Sequence, residues 1–304
     1  MLSSLYVRHN LETKIIDGKK ISEEIKLEIA NDTKSFQNKF LVKPGLAVVL
    51  VGNDPASSVY VRNKEKSAID SGMRGKTINL PSTVSEQDLL NIIENLNLSN
   101  EIHGILVQLP LPSHISQEKI VEKINPIKDV DGLHPFNSGL LSVGTPRFIP
   151  ATPAGIRELL IRSDFDTDGK HVAILGRSNI VGRPLANLLS MKSNGGNATV
   201  SLCHSRTNNL KDITQMADII VAAIGIPNFV TQEMVKENAV VIDVGINRVE
   251  SSLHKRGYRL VGDVDFETVK LKCKAITPVP GGVGPMTIAM LLYNTLQAAK
   301  LQCA

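Results

Sequence analysis

Two textures alternate along the chain. Short apolar runs bounded by glycine, proline or charge read as buried strands, and longer amphipathic stretches between them read as helices. The first such run is 46–51. A helix follows over 55–71, with Asp54 placed to cap it, Pro55 suited to its first position and Gly72 as its stop. An earlier helix is read at 22–30, where Glu23 and Glu24 favour the first turn; Ile25 stands where a capping box would put an acid. Strands are predicted at 77–80 and 104–109, the second ended by Pro110, with a helix at 86–96 between them. Residues 125–153 are rich in Pro, Gly, Asn and Asp and read as loop, with a domain junction near their end. The alternation then restarts, with strands at 171–175, 198–203, 218–223, 240–244 and 275–277 and a last helix from about 286 to 301. Strand–helix alternation argues for α/β architecture with parallel sheets. The second half has the element order of a Rossmann-like domain.

Composition narrows the partners. Of 304 residues, 42% are hydrophobic and none is Trp, so the cores are aliphatic. Lys and Arg total 34 against 30 Asp and Glu, a net +4 spread along the chain. No basic stripe of the kind nucleic-acid binding requires is present, and a small anionic ligand suits the balance. Cys203, Cys273 and Cys303 form no C-x-x-C pair, so no disulfide framework and no metal site are expected, and a reducing compartment follows. No apolar run reaches the roughly 18 residues of a membrane helix. Residues 1–10 contain Arg8 and no acid. They read as a plain extension of a cytoplasmic protein; as a presequence remnant they would place it in an organelle matrix.

Candidate chemistry sits at six places. After the strand at 171–175 comes Gly176-Arg177-Ser178-Asn179-Ile180-Val181-Gly182, then a helix. Glycines at such a turn let the backbone approach a pyrophosphate, and the helix terminus attracts its charge, although a tight strand-to-helix turn alone would look similar. The next strand ends in His204-Ser205-Arg206-Thr207 without a carboxylate. Arg177 and Ser205 could hold an extra phosphate there, or form a solvated basic loop. Ser57, Tyr60 and Lys64 share one helix face, as a proton-moving group would or as a snorkelling lysine would. Gln108 interrupts an apolar strand at its carboxyl end, where ligands bind or where a loop backbone takes its amide. Asp131 precedes Gly132, a common turn pair, and could equally accept from two nitrogens of a ring. The stretch Pro278 to Thr287, PVPGGVGPMT, is rigid and glycine-lined, as a ligand wall or an interdomain hinge would be.

Together PASSVYVRNK (55–64), GILVQLPLP (104–112), KDVDG (128–132), GRSNIVGRP (176–184) and PVPGGVGPMT (278–287) closely resemble the bifunctional methylenetetrahydrofolate dehydrogenase/methenyltetrahydrofolate cyclohydrolase family, over nearly the whole chain. The resemblance implies an α/β fold of two domains with a cleft between them. The folate-binding domain would comprise 1–153 and 286–304, the last helix returning to it; the Rossmann-like nucleotide domain would comprise 154–285. It implies NADP as cofactor, tetrahydrofolate derivatives as substrates, a place in one-carbon metabolism and purine biosynthesis, and a homodimer joined through the nucleotide domains. Lys64 matches the family's catalytic lysine, Tyr60 its ring-stacking tyrosine, Gln108 the glutamine that tunes the lysine and Asp131 the pterin anchor. Ser57 falls on the substrate face. Pro280, Gly281 and Gly284 match the folate wall, and Gly176, Arg177, Ser178, Ser205 and Ile246 match cofactor contacts. The chain departs from the family at Ala151, where a cysteine is frequent, and in a longer loop at 192–197. Two rival readings are an NAD-preferring member with weak cyclohydrolase activity and a nucleotide-binding protein without catalysis.

Overall fold

A computed structural model describes residues 13–251 and 257–303; the extension at 1–10 lies outside them. The chain enters through β1 (Lys14–Ile15) and α1 (Gly18–Phe40). The helix is far longer than the predicted 22–30. Asp17 caps it by accepting from the Lys20 N–H at 2.9 Å, and the stripe Ile21, Ile25, Ile29, Phe36 continues past Ala30 with Thr33 buried in line. That interior threonine hides the apolar period. Then come β2 (Gly45–Val51), α2 (Pro55–Asp70), β3 (Arg74–Leu80), α3 (Glu86–Leu98) and β4 (Gly104–Val107). The strands form a parallel sheet in the order β3-β2-β4. Every residue of β2 is buried, as its unbroken aliphatic sequence requires at the centre of a parallel sheet. The Asp54 cap is present, accepting from the Ser57 N–H at 2.7 Å.

The stretch read as loop contains structure. After α4 (Gln117–Lys123) comes α5 (Pro135–Ser142), begun by Pro135 and capped by His134 Nδ1 accepting from Phe136 N–H; α6 (Ala151–Arg162) begins just before the expected junction. Then β5 (His171–Leu175), α7 (Gly182–Ser190), β6 (Thr199–Cys203), α8 (Leu210–Met216), β7 (Ile219–Ala222) and β8 (Val240–Asp243) follow the expected alternation. A hairpin of β9 (Asn247–Glu250) and β10 (Tyr258–Val261) was not foreseen, being short and half-exposed. After it come α9 (Phe266–Val269), β11 (Ala275–Ile276) and α10 (Val283–Cys303).

The second sheet is six-stranded and parallel, in the order β1-β11-β8-β7-β5-β6. Its first strand comes from the start of the chain: Lys14 pairs with Ala275 and Ile15 with Ile276. The first described residues therefore edge the second sheet, not the first. The last helix, α10, packs along α1 and α6 and reaches α2, β2 and β4. Gly155 of α6 permits the close crossing, since a Cβ there would lie 2.8 Å from that of Met286. Asn294 Nδ2 donates to the carbonyls of Val130 (2.9 Å) and Ile149 (2.8 Å). Among the described residues no helix is long and apolar enough to cross a membrane.

Candidate active site

Between α2, the carboxyl end of β8 and the loop entering α10 lies a cavity of about 600 Å³, with Tyr60, Asn63, Ile246, Pro280, Gly281 and Gly284 in its wall. The loop is anchored at its tip. Gly281 has φ +110°, a conformation open mainly to glycine, and its carbonyl accepts from the Lys19 N–H at 2.8 Å. Gly284 stands between the two sides of the cavity: a Cβ there would be in ordinary contact with Ile246 Cδ1 (3.5 Å) and Tyr60 Oη (3.8 Å).

Lys64 turns inward from α2 beside Val61 and Ala68, and is only 7% exposed. Its Nζ donates to Gln108 Oε1 at 2.9 Å. Gln108 Nε2 donates to the Leu109 carbonyl at 2.8 Å, which fixes the amide with its oxygen toward the lysine. The loop backbone thus takes the Gln108 amide N–H, and the amide oxygen meets the lysine. Burial pushes the Lys64 ammonium below its ordinary range, and the nearby Asp131 charge partly opposes this. Asp131 itself is pushed up to about 6, mainly by burial, with Lys64 pulling it down and Asp129 pushing it further up.

The KDVDG segment divides its labour. Lys128 is buried and donates to the Leu96 (3.2 Å) and Ser99 (2.7 Å) carbonyls at the end of α3. Asp129 accepts from Leu133 N–H (3.3 Å), His134 N–H (2.9 Å) and Asn137 Nδ2 (2.8 Å). Val130 packs on Gly104, where a Cβ would come within 2.6 Å of its methyl. Only Asp131 is left without a protein hydrogen bond among the described residues. Turn stabilisation, the ordinary reading for Asp131, is done by Asp129, whose carbonyl accepts from Gly132 N–H.

The structure therefore joins buried Lys64 to half-buried Gln108 by a hydrogen bond and sets half-buried Asp131 near enough for its charge to act on the lysine, while Tyr60, Pro280, Gly281, Gly284 and Ile246 line the cavity. Burial also raises the Tyr60 phenol. Ser57 lies one turn before Tyr60, with its N–H engaged in the Asp54 cap, and is not in the cavity wall.

On the second sheet, Gly176 leaves β5 with φ +112°, and a Cβ there would meet the Ala223 carbonyl at 2.1 Å. One on Gly182 would meet the Gly176 carbonyl at 1.9 Å. Ser178 Oγ accepts from Val181 N–H at 3.1 Å, and its carbonyl accepts from Arg183 N–H at 3.1 Å, winding the turn into α7. At the end of β6, His204 N–H donates to Thr207 Oγ1 (2.8 Å) and Arg206 N–H to His204 Nδ1 (3.1 Å), leaving Ser205 exposed at the turn. Arg177 and Arg206 are exposed and form no ion pair among the described residues. A glycine-lined turn into a helix, two free guanidinium groups and no carboxylate at the strand end fit a phosphorylated dinucleotide.

Sequence reasoning missed one feature of this lobe. Asp243 and Asp263 are both buried at the carboxyl end of β8. The only signal was a lone acid inside each of the apolar runs VIDVG and LVGDV.

A parallel nucleotide-type sheet facing a second α/β lobe across a cleft, with a desolvated lysine, amide and carboxylate beside it, defines a two-lobed α/β enzyme of dehydrogenase type. The family model for the tetrahydrofolate dehydrogenase/cyclohydrolase catalytic domain matches residues 16–131, and that for the NAD(P)-binding domain of the same family matches 150–303. The chain belongs to this family and is a bifunctional enzyme, dehydrogenase and cyclohydrolase. It is 55% identical to a bifunctional protein FolD of Chlorobium phaeobacteroides, across 93% of this chain and 96% of that one. Among solved structures it is similar to the bifunctional FolD of Campylobacter jejuni (46% identity, 95% of this chain and 99% of that one, TM-score 0.89). It is also similar to the Trypanosoma brucei FolD solved with NADP and an inhibitor (39% identity, 96% and 98% coverage, TM-score 0.91).

Proposed function

We propose that the chain oxidises methylenetetrahydrofolate to methenyltetrahydrofolate with NADP, then hydrolyses that product to formyltetrahydrofolate, both steps being reversible. The observation that carries this is the Lys64–Gln108–Asp131 cluster beside the cavity between the lobes. When bound, the cofactor supplies the acceptor for hydride from the one-carbon bridge. Gly176, Arg177, Ser178 and Ser205 hold its phosphates and Ile246 faces it at the cavity. Tyr60 and the wall at Pro280, Gly281 and Gly284 hold the folate ring, Asp131 accepts from its nitrogens, and Ser57 borders the same face. Orientation in a dry cleft is most of what hydride transfer needs from the protein.

Hydrolysis needs proton transfer. Water adds to the cationic one-carbon centre and gives up a proton, and a C–N bond breaks as its nitrogen takes a proton back. Lys64 moves these protons, which requires a neutral amine part of the time; burial and a cationic substrate both favour that state. Gln108 aims the amine.

Arg177 with Ser205, and the absence of an acid ending β6, favour NADP over NAD. A spectrophotometric assay in phosphate-free buffer tests this. Higher kcat/KM with NADP is expected, and equal or better efficiency with NAD would overturn it.

The proposed lobes are 1–153 with 286–304, and 154–285, the short β1 excepted. The packing of α10 on α1, α2 and β4 agrees with its return to the first lobe, while its packing on α6 (Ala151–Arg162) runs across the proposed boundary. A homodimer through the nucleotide lobes rests on the family resemblance, and a cytoplasmic location on the cysteine usage. Light scattering that gives only 33.0 kDa at micromolar concentration would refute the dimer.

A further inference from the structure

Asp263 is wholly buried and Asp243 is 3% exposed, and neither has a cation beside it among the described residues. Burying a carboxylate without a counter-charge is costly unless donors replace its water. Asp263 Oδ2 accepts from the backbone N–H groups of Ile224 (2.7 Å) and Gly225 (2.9 Å), and its Oδ1 accepts from Asn247 Nδ2 (2.8 Å). Asp243 Oδ1 accepts from the N–H groups of Gly245 (3.0 Å) and Asp263 (2.9 Å), and its Oδ2 from Val264 N–H (2.9 Å). The Asp243 N–H donates to Thr277 Oγ1 at 2.7 Å.

Two side chains thus tie together the loop after β7, the loop after β8 and the segment leaving the β9–β10 hairpin. The backbone closes on them so tightly that only glycine fits. A Cβ at Gly245 would lie 2.2 Å from Asp263 Oδ1, and one at Gly262 would lie 1.8 Å from Asp243 Oδ2. The tied segments are the nucleotide-lobe side of the cleft. Gly245, Ile246 and Leu260 line the cavity, and Ile224 follows Ala223, against whose carbonyl the Gly176 turn is pressed. A fold needing only a covered loop could use neutral partners. Acceptors able to hold several backbone N–H groups at once are what fixed loop positions require.

We propose that Asp263, seated on Asp243, is a positioning residue for dinucleotide binding: it fixes the loops after β7 and β8 in the shape that receives the cofactor, without touching the proton-transfer cluster. The inference rests on the dinucleotide reading above. The test compares Asp263→Asn with Asn247→Ala, using calorimetric titration with NADP, thermal melting, and cyclohydrolase activity started from methenyltetrahydrofolate without nucleotide. An asparagine keeps the size but replaces one acceptor oxygen by a donor facing other donors. NADP Kd is expected to rise roughly tenfold or more, the size of losing a hydrogen bond to a charged group. Cyclohydrolase should stay within about twofold, since Lys64, Gln108 and Asp131 share no partner with Asp263. Asn247→Ala keeps both carboxylates and should weaken NADP binding in the same direction, by less.

Unchanged NADP affinity in both folded variants overturns the proposal. So does loss of NADP binding and cyclohydrolase by the same factor, which would signal general disorder. If Asp263→Asn does not fold, Asn247→Ala decides alone, and a wild-type Kd there overturns the proposal. A wild-type chain that binds no NADP would instead refute the dinucleotide reading itself.

Discussion

Replacing Lys64 with Met removes the titratable amine and keeps much of the stem. The side chain is 7% exposed and its Nζ lies 2.9 Å from Gln108 Oε1. Two opposing effects act on stability. The desolvation that pushes the amine's pKa down disappears with the amine, while Gln108 Oε1 loses its donor, at about 1–3 kcal/mol for an unsatisfied buried group. The variant should fold, with a melting temperature changed by only a few degrees. Catalysis separates more sharply. Water addition and ring opening need a proton carrier, so cyclohydrolase should fall by roughly 10²–10⁴-fold, the usual worth of positioned acid–base catalysis. Hydride transfer needs orientation, which on the proposed reading Tyr60 and the Pro280–Gly284 wall still supply, and should fall far less. Lys64→Arg should not restore hydrolysis, because a guanidinium stays protonated. Each half-reaction is assayed separately, the second started from methenyltetrahydrofolate with the uncatalysed rate subtracted. Equal losses in both would mean that Lys64 serves binding or folding. Undiminished hydrolysis would mean that the proton carrier is elsewhere.

Asp131→Asn should raise the folate KM by roughly 10–100-fold, the cost of about 1.5–3 kcal/mol for bonds to a charged acceptor; an unchanged folate KM with weaker cofactor binding would refute the assignment. The same variant tests the Asp131 environment. Its carboxyl rises from 3.8 to about 6 in the folded chain, so the native state holds a proton that the unfolded state has lost. Stability from this group is full below about pH 4 and declines as pH rises through 6. The asparagine variant should therefore be more stable than wild type at pH 7, by about 3 kcal/mol at most, and melt higher there, and the two should be nearly equal near pH 4; an equal melting temperature at pH 7 would contradict the burial argument. Gly182→Ala would push a Cβ to 1.9 Å from the Gly176 carbonyl, deforming the turn. NADP binding should be lost with nucleotide-free cyclohydrolase largely kept, and wild-type affinity by titration would show that the turn does not bind phosphate.

How legible these features were depended on burial. β2, β4, β5, β7 and β8 are buried almost throughout, so their sequences are mainly aliphatic runs, and their ends fell within about two residues of expectation. β1, β9 and β10 are short and partly exposed and carry no comparable run. α5 was hidden because its proline and glycine look like loop residues, although Pro135 occupies a favoured first position. In the site, helical spacing paired Tyr60 with Lys64, and Gln108 stood out as the polar break in its strand. Spacing could not tell Asp129 from Asp131. The difference lies in three donors, from Leu133, His134 and Asn137, that reach Asp129 and none that reach Asp131. Asp243 and Asp263 were unreadable for the same reason: their partners come from three separate loops, and no local pattern records them.

The electrostatic layout suggests how one cleft serves both reactions. Oxidation of the one-carbon bridge creates a cation, and a protonated Lys64 beside it would be repelled. Burial keeps the amine inclined to be neutral, while ionised Asp131 inclines it to hold a proton. Asp131 is itself poised near 6, so hydrogen bonds from a bound pterin favour its charged form. That charge draws a proton toward Lys64 when folate arrives, and the product cation pushes the proton away again once hydride has left. The amine is thus driven toward neutrality at the stage when water must surrender a proton. On the function proposed above, Asp131 then has two roles, anchoring the ring and setting the lysine's proton affinity. An acid-to-amide change there should move the acidic limb of the cyclohydrolase pH profile to lower pH at saturating folate, because the group that raises the Lys64 pKa is gone. An unmoved limb would show that Asp131 anchors the substrate and does nothing to the amine.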